Sequence, residues 1–139
     1  MLVLDTDHLT AMGYDSAIGR RLQERLSESG EEIATTAISV DEQLSGLLAA
    51  IHARHDPMSQ IEPYAELVER MEFLSVFLIL PWDADSAARF LKLKADRVKG
   101  GTMDLKIASI ALAHDAFLLT RNTIDFAHVP GLQVANWLD

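Results

Sequence analysis

Five short apolar runs lie at residues 2–4, 33–36, 77–80, 117–120 and 132–135, and the first four are separated from one another by stretches whose apolar residues repeat about every 3.6 positions. The stretches read as helices: Ile18, Leu22 and Leu26; then Val40, Leu44, Leu47, Leu48 and Ile51; then Ile61, Tyr64, Leu67, Val68, Met71 and Leu74. Two more helices are expected over residues 83–98 and 104–115, the second with Ile107, Ala108, Ala111 and Leu112 inward, and Gly100-Gly101 breaks the chain between them. A strand followed by a helix cannot return as a hairpin. It crosses over, right-handed, to a parallel neighbour, and the helices then cover both faces of the sheet. The expected fold is therefore α/β in three layers, α/β/α, around a mainly parallel central sheet of four to five strands.

At 139 residues the chain has the length of one domain, spanning 1–139, and such a domain buries about two-thirds of its unfolded surface. The absence of cysteine excludes disulfides and thiolate metal sites, so any metal must sit on oxygen or imidazole. No run approaches the roughly 20 apolar residues of a membrane span, and the opening MLVLDTDH has no signal-peptide pattern. A soluble, cytoplasmic protein without membrane contact is expected. A formal net charge of −9 speaks against a general nucleic-acid coat protein, since phosphate affinity rests on Lys and Arg. It does not exclude a nuclease, because cations held by carboxylates reverse the field where it matters.

In parallel α/β sheets, sites form beyond the carboxyl ends of the strands. Four acids stand at such places. Asp5 closes the first run; Glu42 lies in the helix after the second; Asp104 opens the helix before the fourth; Asp125 follows it. Each also has a structural explanation: Asp5 or Thr6 as a helix cap, Ser39-Val-Asp-Glu42 as a capping box, Asp104 in favourable contact with a helix macrodipole, and Asp125 in a cap after Asn122. Taken together in one pocket, four carboxylates would repel one another unless cations compensated them. Mg²⁺ or Mn²⁺ suits such oxygen ligands, and a water activated by the ion can hydrolyse a phosphodiester.

In order along the chain, LDTD at 4–7, ISVDEQLSG at 38–46, MDLKIASIALAHDAFLLTRNTIDF at 103–126 and VPGLQVANW at 129–137 resemble the successive motifs of VapC-type PIN domains. The resemblance runs almost end to end and is most specific in the last two segments. It implies a Mg²⁺- or Mn²⁺-dependent endoribonuclease, the toxin of a bacterial VapBC toxin–antitoxin pair. Its catalytic and metal-binding acids would be Asp5, Glu42, Asp104 and Asp125, with Thr6, Thr120 and Asn122 in support. It further implies a homodimer, an RNA substrate and a cognate VapB-like antitoxin. Two positions depart from the family pattern. Asp41-Glu42-Gln43 stands where Ala-Glu-Leu is common, and Asp7, often Asn or Ser in the family, either adds a metal-side ligand in support of the site or caps the helix that follows, the cap being the expected role.

Arg89, Lys92 and Lys99 form a basic stripe that either is a solvated helix face, balanced by Asp85 and Asp96, or steers RNA towards Asp104. His52 and His55 lack metal-site spacing and read as a solvated pair. Trp82, Phe90, Phe117 and Trp137 are assigned to the core or a dimer contact, and the run 73–82 to the core, while surplus apolar surface on the middle helices would seat an antitoxin or a second subunit. Among rivals, a haloacid-dehalogenase-like phosphatase would use Asp5 and Asp7, but Leu9 stands where Thr or Val is required and Glu42 is left without a role. A receiver domain would need a phosphoacceptor Asp and a late Lys that the chain does not supply at the right strand ends. A catalytically degenerate PIN domain that only binds a partner or RNA is the non-enzymatic alternative.

Overall fold

The computed structural model describes Met1–Asp139. Its strands are β1 (Leu2–Leu4), β2 (Ile33–Thr36), β3 (Leu78–Leu80), β4 (Phe117–Leu119) and β5 (Gln133–Ala135). They form one five-stranded sheet in the order β3-β2-β1-β4-β5, every neighbouring pair parallel. The helices are α1 (Thr6–Met12), α2 (Ala17–Ser29), α3 (Ala37–His52), α4 (Ile61–Leu74), α5 (Ala84–Ala95), α6 (Thr102–Ala113) and α7 (Thr123–Phe126). The three-layer α/β/α expectation holds, with the sheet at five strands and wholly parallel.

Because side chains alternate along a strand, β1 feeds two cores. Val3 joins Ala34 and Leu118 against Leu93 of α5 and Leu105, Ile107 and Ile110 of α6. Leu2 and Leu4 join Leu119 on the other face, against Leu9 of α1, Leu22 and Leu26 of α2, and Leu74 of α4. Val3 and Leu4 are wholly buried, which explains why the central strand reads as an unbroken apolar run. Each such leucine contributes roughly 2 kcal/mol relative to exposure. Helix α6 buries six residues, from Leu105 to Ala111, because it lies between the sheet and α5.

Three details differ from the sequence reading. The first helical stretch is two helices. Ser16 starts α2 by accepting from the Gly19 amide, and a Cβ at Gly19 would collide with the Ala11 and Tyr14 carbonyl oxygens, so only glycine lets α1 and α2 meet so closely. The turn after β4 closes into the short helix α7. Finally, the run 73–82 is only partly core. Strand β3 lies at the sheet edge, so Leu74 and Leu80 are buried while Val76, Leu78 and Ile79 are exposed.

Candidate active site

Strand order reverses between β1 and β4, and that is where a parallel sheet opens a crevice at its carboxyl edge. Asp5 directly follows β1. Its amide donates to the Leu119 carbonyl of β4 at 3.0 Å, which fixes its backbone at the reversal. Its side chain caps α1, Oδ1 accepting from the His8 amide at 2.9 Å. The capping explanation for Asp5 is therefore correct, and it leaves the residue on the wall of the crevice. Asp5, Thr6, Asp7, Glu42, Asp104, Ile107 and Asn122 line one cavity there, of about 260 Å³.

Glu42 reaches this cavity for a reason other than the expected capping box. Helix α3 starts earlier, at Ala37, and its cap is Thr36, whose Oγ1 accepts from the Ser39 amide at 3.1 Å. Ser39 is thus inside the helix, and Glu42 stands in the second turn, beyond reach of the N-cap amide. Its carboxylate instead accepts from the Thr6 hydroxyl at 2.8 Å, which joins α3 to α1 across the cavity mouth. Asp7 also departs from expectation. Asp5 occupies the cap, and Asp7 lies in the first turn of α1, exposed, on the cavity wall.

Asp104 is the third residue of α6, half-buried, behind a Gly101 cap that provides no side-chain bond. Burial pushes its pKa up, and the charges of Glu42, Asp5 and Asp125 add to the rise; a hydrogen bond with the Asn122 side chain acts in the opposite direction. Asp125 sits on α7, exposed and off the cavity wall, close enough to be felt by Asp104 but not part of the lining. Thr120 is buried, and its hydroxyl oxygen accepts from the Asn122 amide at 3.0 Å, shaping the turn that presents Asn122.

The lining contains no Lys, Arg or His, so its acids have no cation from the chain beside them. By the chemistry of its donors, hard carboxylate oxygens with one hydroxyl and one amide, the cavity fits Mg²⁺ or Mn²⁺. The acids surround the space without closing on a point, and no three acidic or imidazole groups are grouped tightly enough to enclose an ion as they stand. Like charges adopt such spacing, and side-chain rotations would have to draw them onto a cation.

Sequence reasoning passed over His8. It is wholly buried, its Nδ1 is 3.1 Å from Asp5 Oδ1, and its Nε2 accepts from the Trp137 amide at 3.2 Å. The available signal was its spacing, three residues after a strand-end aspartate, where a helix cap meets the first turn. The basic stripe is elsewhere. Arg89 and Lys92 pair with Asp85 and Asp96 at 2.9 and 3.1 Å and line a separate groove with Leu112, Pro130 and Gly131. Lys99 follows α5 and is exposed. His52 and His55 are exposed, Trp82 and Phe90 stack edge to face against the core, and Trp137 lies under the Arg25 guanidinium at 4.1 Å. A larger cavity, of about 490 Å³, lies between α4 and the end of α1, with Glu62, Glu66, Glu69 and Arg70 on its wall. It is remote from the carboxyl ends of the strands and includes none of the expected site residues. No helix is long and apolar enough to cross a membrane.

Comparison with known proteins agrees with this fold. The family model described as PIN domain matches residues 2–132. A curated relative, Ribonuclease VapC1 of Rickettsia felis, is 36% identical over 64 residues; the match takes in 43% of this chain and 48% of the relative, so the two align over about half of the relative's length. Among solved structures, FitAcB from Neisseria gonorrhoeae superposes with a TM-score of 0.73 at 24% identity, over 99% of this chain and 98% of that one. A toxin–antitoxin complex from Klebsiella pneumoniae superposes with a TM-score of 0.68 at 27% identity, over 99% and 98%.

Proposed function

The chain belongs to the PIN-domain family, and from that premise we propose that it is a divalent-metal-dependent endoribonuclease, the toxin of a VapBC-type toxin–antitoxin pair acting in the cytoplasm. The observation that carries the proposal is the meeting of Asp5, Glu42 and Asp104 around one cavity whose lining has no positive charge. Asp5, Glu42, Asp104 and, from outside the wall, Asp125 would hold Mg²⁺ or Mn²⁺. When bound, the ion supplies a water activated for attack on phosphorus and charge stabilisation at the leaving oxygen. Thr6 orients Glu42 through its 2.8 Å bond, and Thr120 presents Asn122 on the cavity wall that it shares with Asp104. The phosphatase reading falls with the family match, since it requires a different fold family.

The partners follow from the same premise. The structural neighbours include toxin–antitoxin complexes, and exposed apolar side chains on α4, Ile61, Tyr64, Val68 and Met71, supply surface for an antitoxin or for the second subunit of a homodimer. Arg89, Lys92 and Lys99 remain candidates for steering RNA, with Arg89 and Lys92 held back by their ion pairs.

Purified protein freed of any antitoxin should cleave single-stranded or loop RNA only with Mg²⁺ or Mn²⁺, leaving 5′-phosphate and 3′-hydroxyl ends. Asp5→Asn should reduce the rate by at least about 100-fold, the scale of losing one group that acts on a reacting atom. Cleavage that persists in excess EDTA, or 2′,3′-cyclic ends, would overturn the metal-dependent reading.

A further inference from the structure

We propose that His8 is a positioning residue that fixes one oxygen of Asp5 so that the other is presented to a divalent cation; the inference rests on the metal-site reading above. The ring is wholly buried, on a helix whose next residue, Leu9, belongs to the apolar core on that face of the sheet. An imidazole in such a place is costly unless both nitrogens are bonded, and both are. Nε2 accepts from the Trp137 amide at 3.2 Å, which places the ring proton on Nδ1, and Nδ1 then donates to Asp5 Oδ1 at 3.1 Å.

Capping alone does not require this arrangement. The His8 main-chain amide already caps through the same Oδ1 at 2.9 Å, so the ring adds a second donor to an oxygen the cap has claimed. Two donors on one oxygen hold the carboxylate in a single orientation. They leave Oδ2 without a donor from the chain, on a residue that lines the cavity. A carboxylate held in advance loses less freedom when it takes up an ion, and partners of this kind orient metal ligands. The bond to Trp137 spans 129 positions of sequence. It anchors the ring to the segment after β5, where Leu138 is buried beside Leu9 and Leu22 in the same core cluster.

The test is Mn²⁺ binding to the metal-free, full-length protein, read by the electron paramagnetic resonance of the free ion, for wild type, Asp104→Asn, His8→Leu and His8→Asn. Asparagine at position 8 keeps a donor where Nδ1 stands; leucine keeps only bulk. His8→Leu should weaken Mn²⁺ binding by about 10- to 100-fold, and His8→Asn should restore most of the loss even if both variants melt lower in EDTA. Equal binding by His8→Leu and wild type, or equal loss in both His8 variants, overturns the inference while the metal site stands. Equal binding by wild type and Asp104→Asn, or none by either, removes the site reading and this inference with it. Wild type alone provides a second readout: the nitrogen spectrum of the His8 ring should show its proton on Nδ1. Were the proton on Nε2, the proposal would fail whether or not the variants fold.

Discussion

At Asp104, burial and the charges of Glu42, Asp5 and Asp125 all favour the protonated acid. A carboxyl whose folded pKa lies above its unfolded value contributes stability below the unfolded value and loses it as pH rises through the folded one. The metal-free protein should therefore lose stability relative to Asp104→Asn as pH climbs from about 4 towards neutrality. The difference should be at most about 1 kcal/mol, since the group is only half-buried and solvent screens its neighbours. Urea titrations of both proteins in EDTA across that range would measure it; parallel stability profiles would refute the repulsion. What the sequence disclosed at this scale depended on how local the cause was. Asp5 and Asp104 were legible because each follows or begins an apolar element at a sheet end. Glu42 was placed in the right helix for a wrong reason, because Ser-x-x-Glu at 39–42 imitates a cap while the true cap, Thr36, lies within β2. His8 was hidden because its meaning comes from Trp137, at the other end of the chain.

Elements were legible wherever period and length agreed, and less so where topology decided exposure. The run containing β3 is as apolar as a core strand, yet nothing local announces that β2 is its sole neighbour in the sheet. Leu78 and Leu80, two residues apart, share one face of the strand, yet only Leu80 is covered, at 3% exposure against 42% for Leu78. Leu80→Ala should cost about 2–5 kcal/mol, the range for emptying a packed leucine site. Leu78→Thr should stay within about 0.5 kcal/mol, since threonine suits a strand and little burial is lost. Denaturant midpoints would separate the two; comparable losses would mean that the edge is covered. The short helices α1 and α7 were missed as separate elements for a related reason. At 7 and 4 residues they are too brief for a period to show, and packing and caps define them.

Across the whole molecule, a net charge of −9 coexists with an acidic cavity at the sheet's reversal point. On the proposed reading cations would act twice, relieving repulsion among Asp5, Glu42 and Asp104 and letting a polyanion approach them. That reading predicts an apoprotein less stable than its metal-bound form. Because an ion that binds only the folded state stabilises it by RT ln(1 + [L]/Kd), Mn²⁺ at a hundredfold excess over its Kd should add about 2.7 kcal/mol. For a chain of this length that corresponds to a rise in Tm of roughly 10 °C. The double variant Asp5→Asn/Asp104→Asn should melt at the same temperature with or without Mn²⁺, and Ca²⁺ should raise the Tm less than Mn²⁺, since its larger shell asks for more oxygens than the lining provides. Scanning calorimetry of both proteins against metal concentration would measure the effect. An equal rise in wild type and double variant would locate the ion at some other group of carboxylates, such as those of α4, and would separate the fold's stability from the chemistry assigned to its sheet edge.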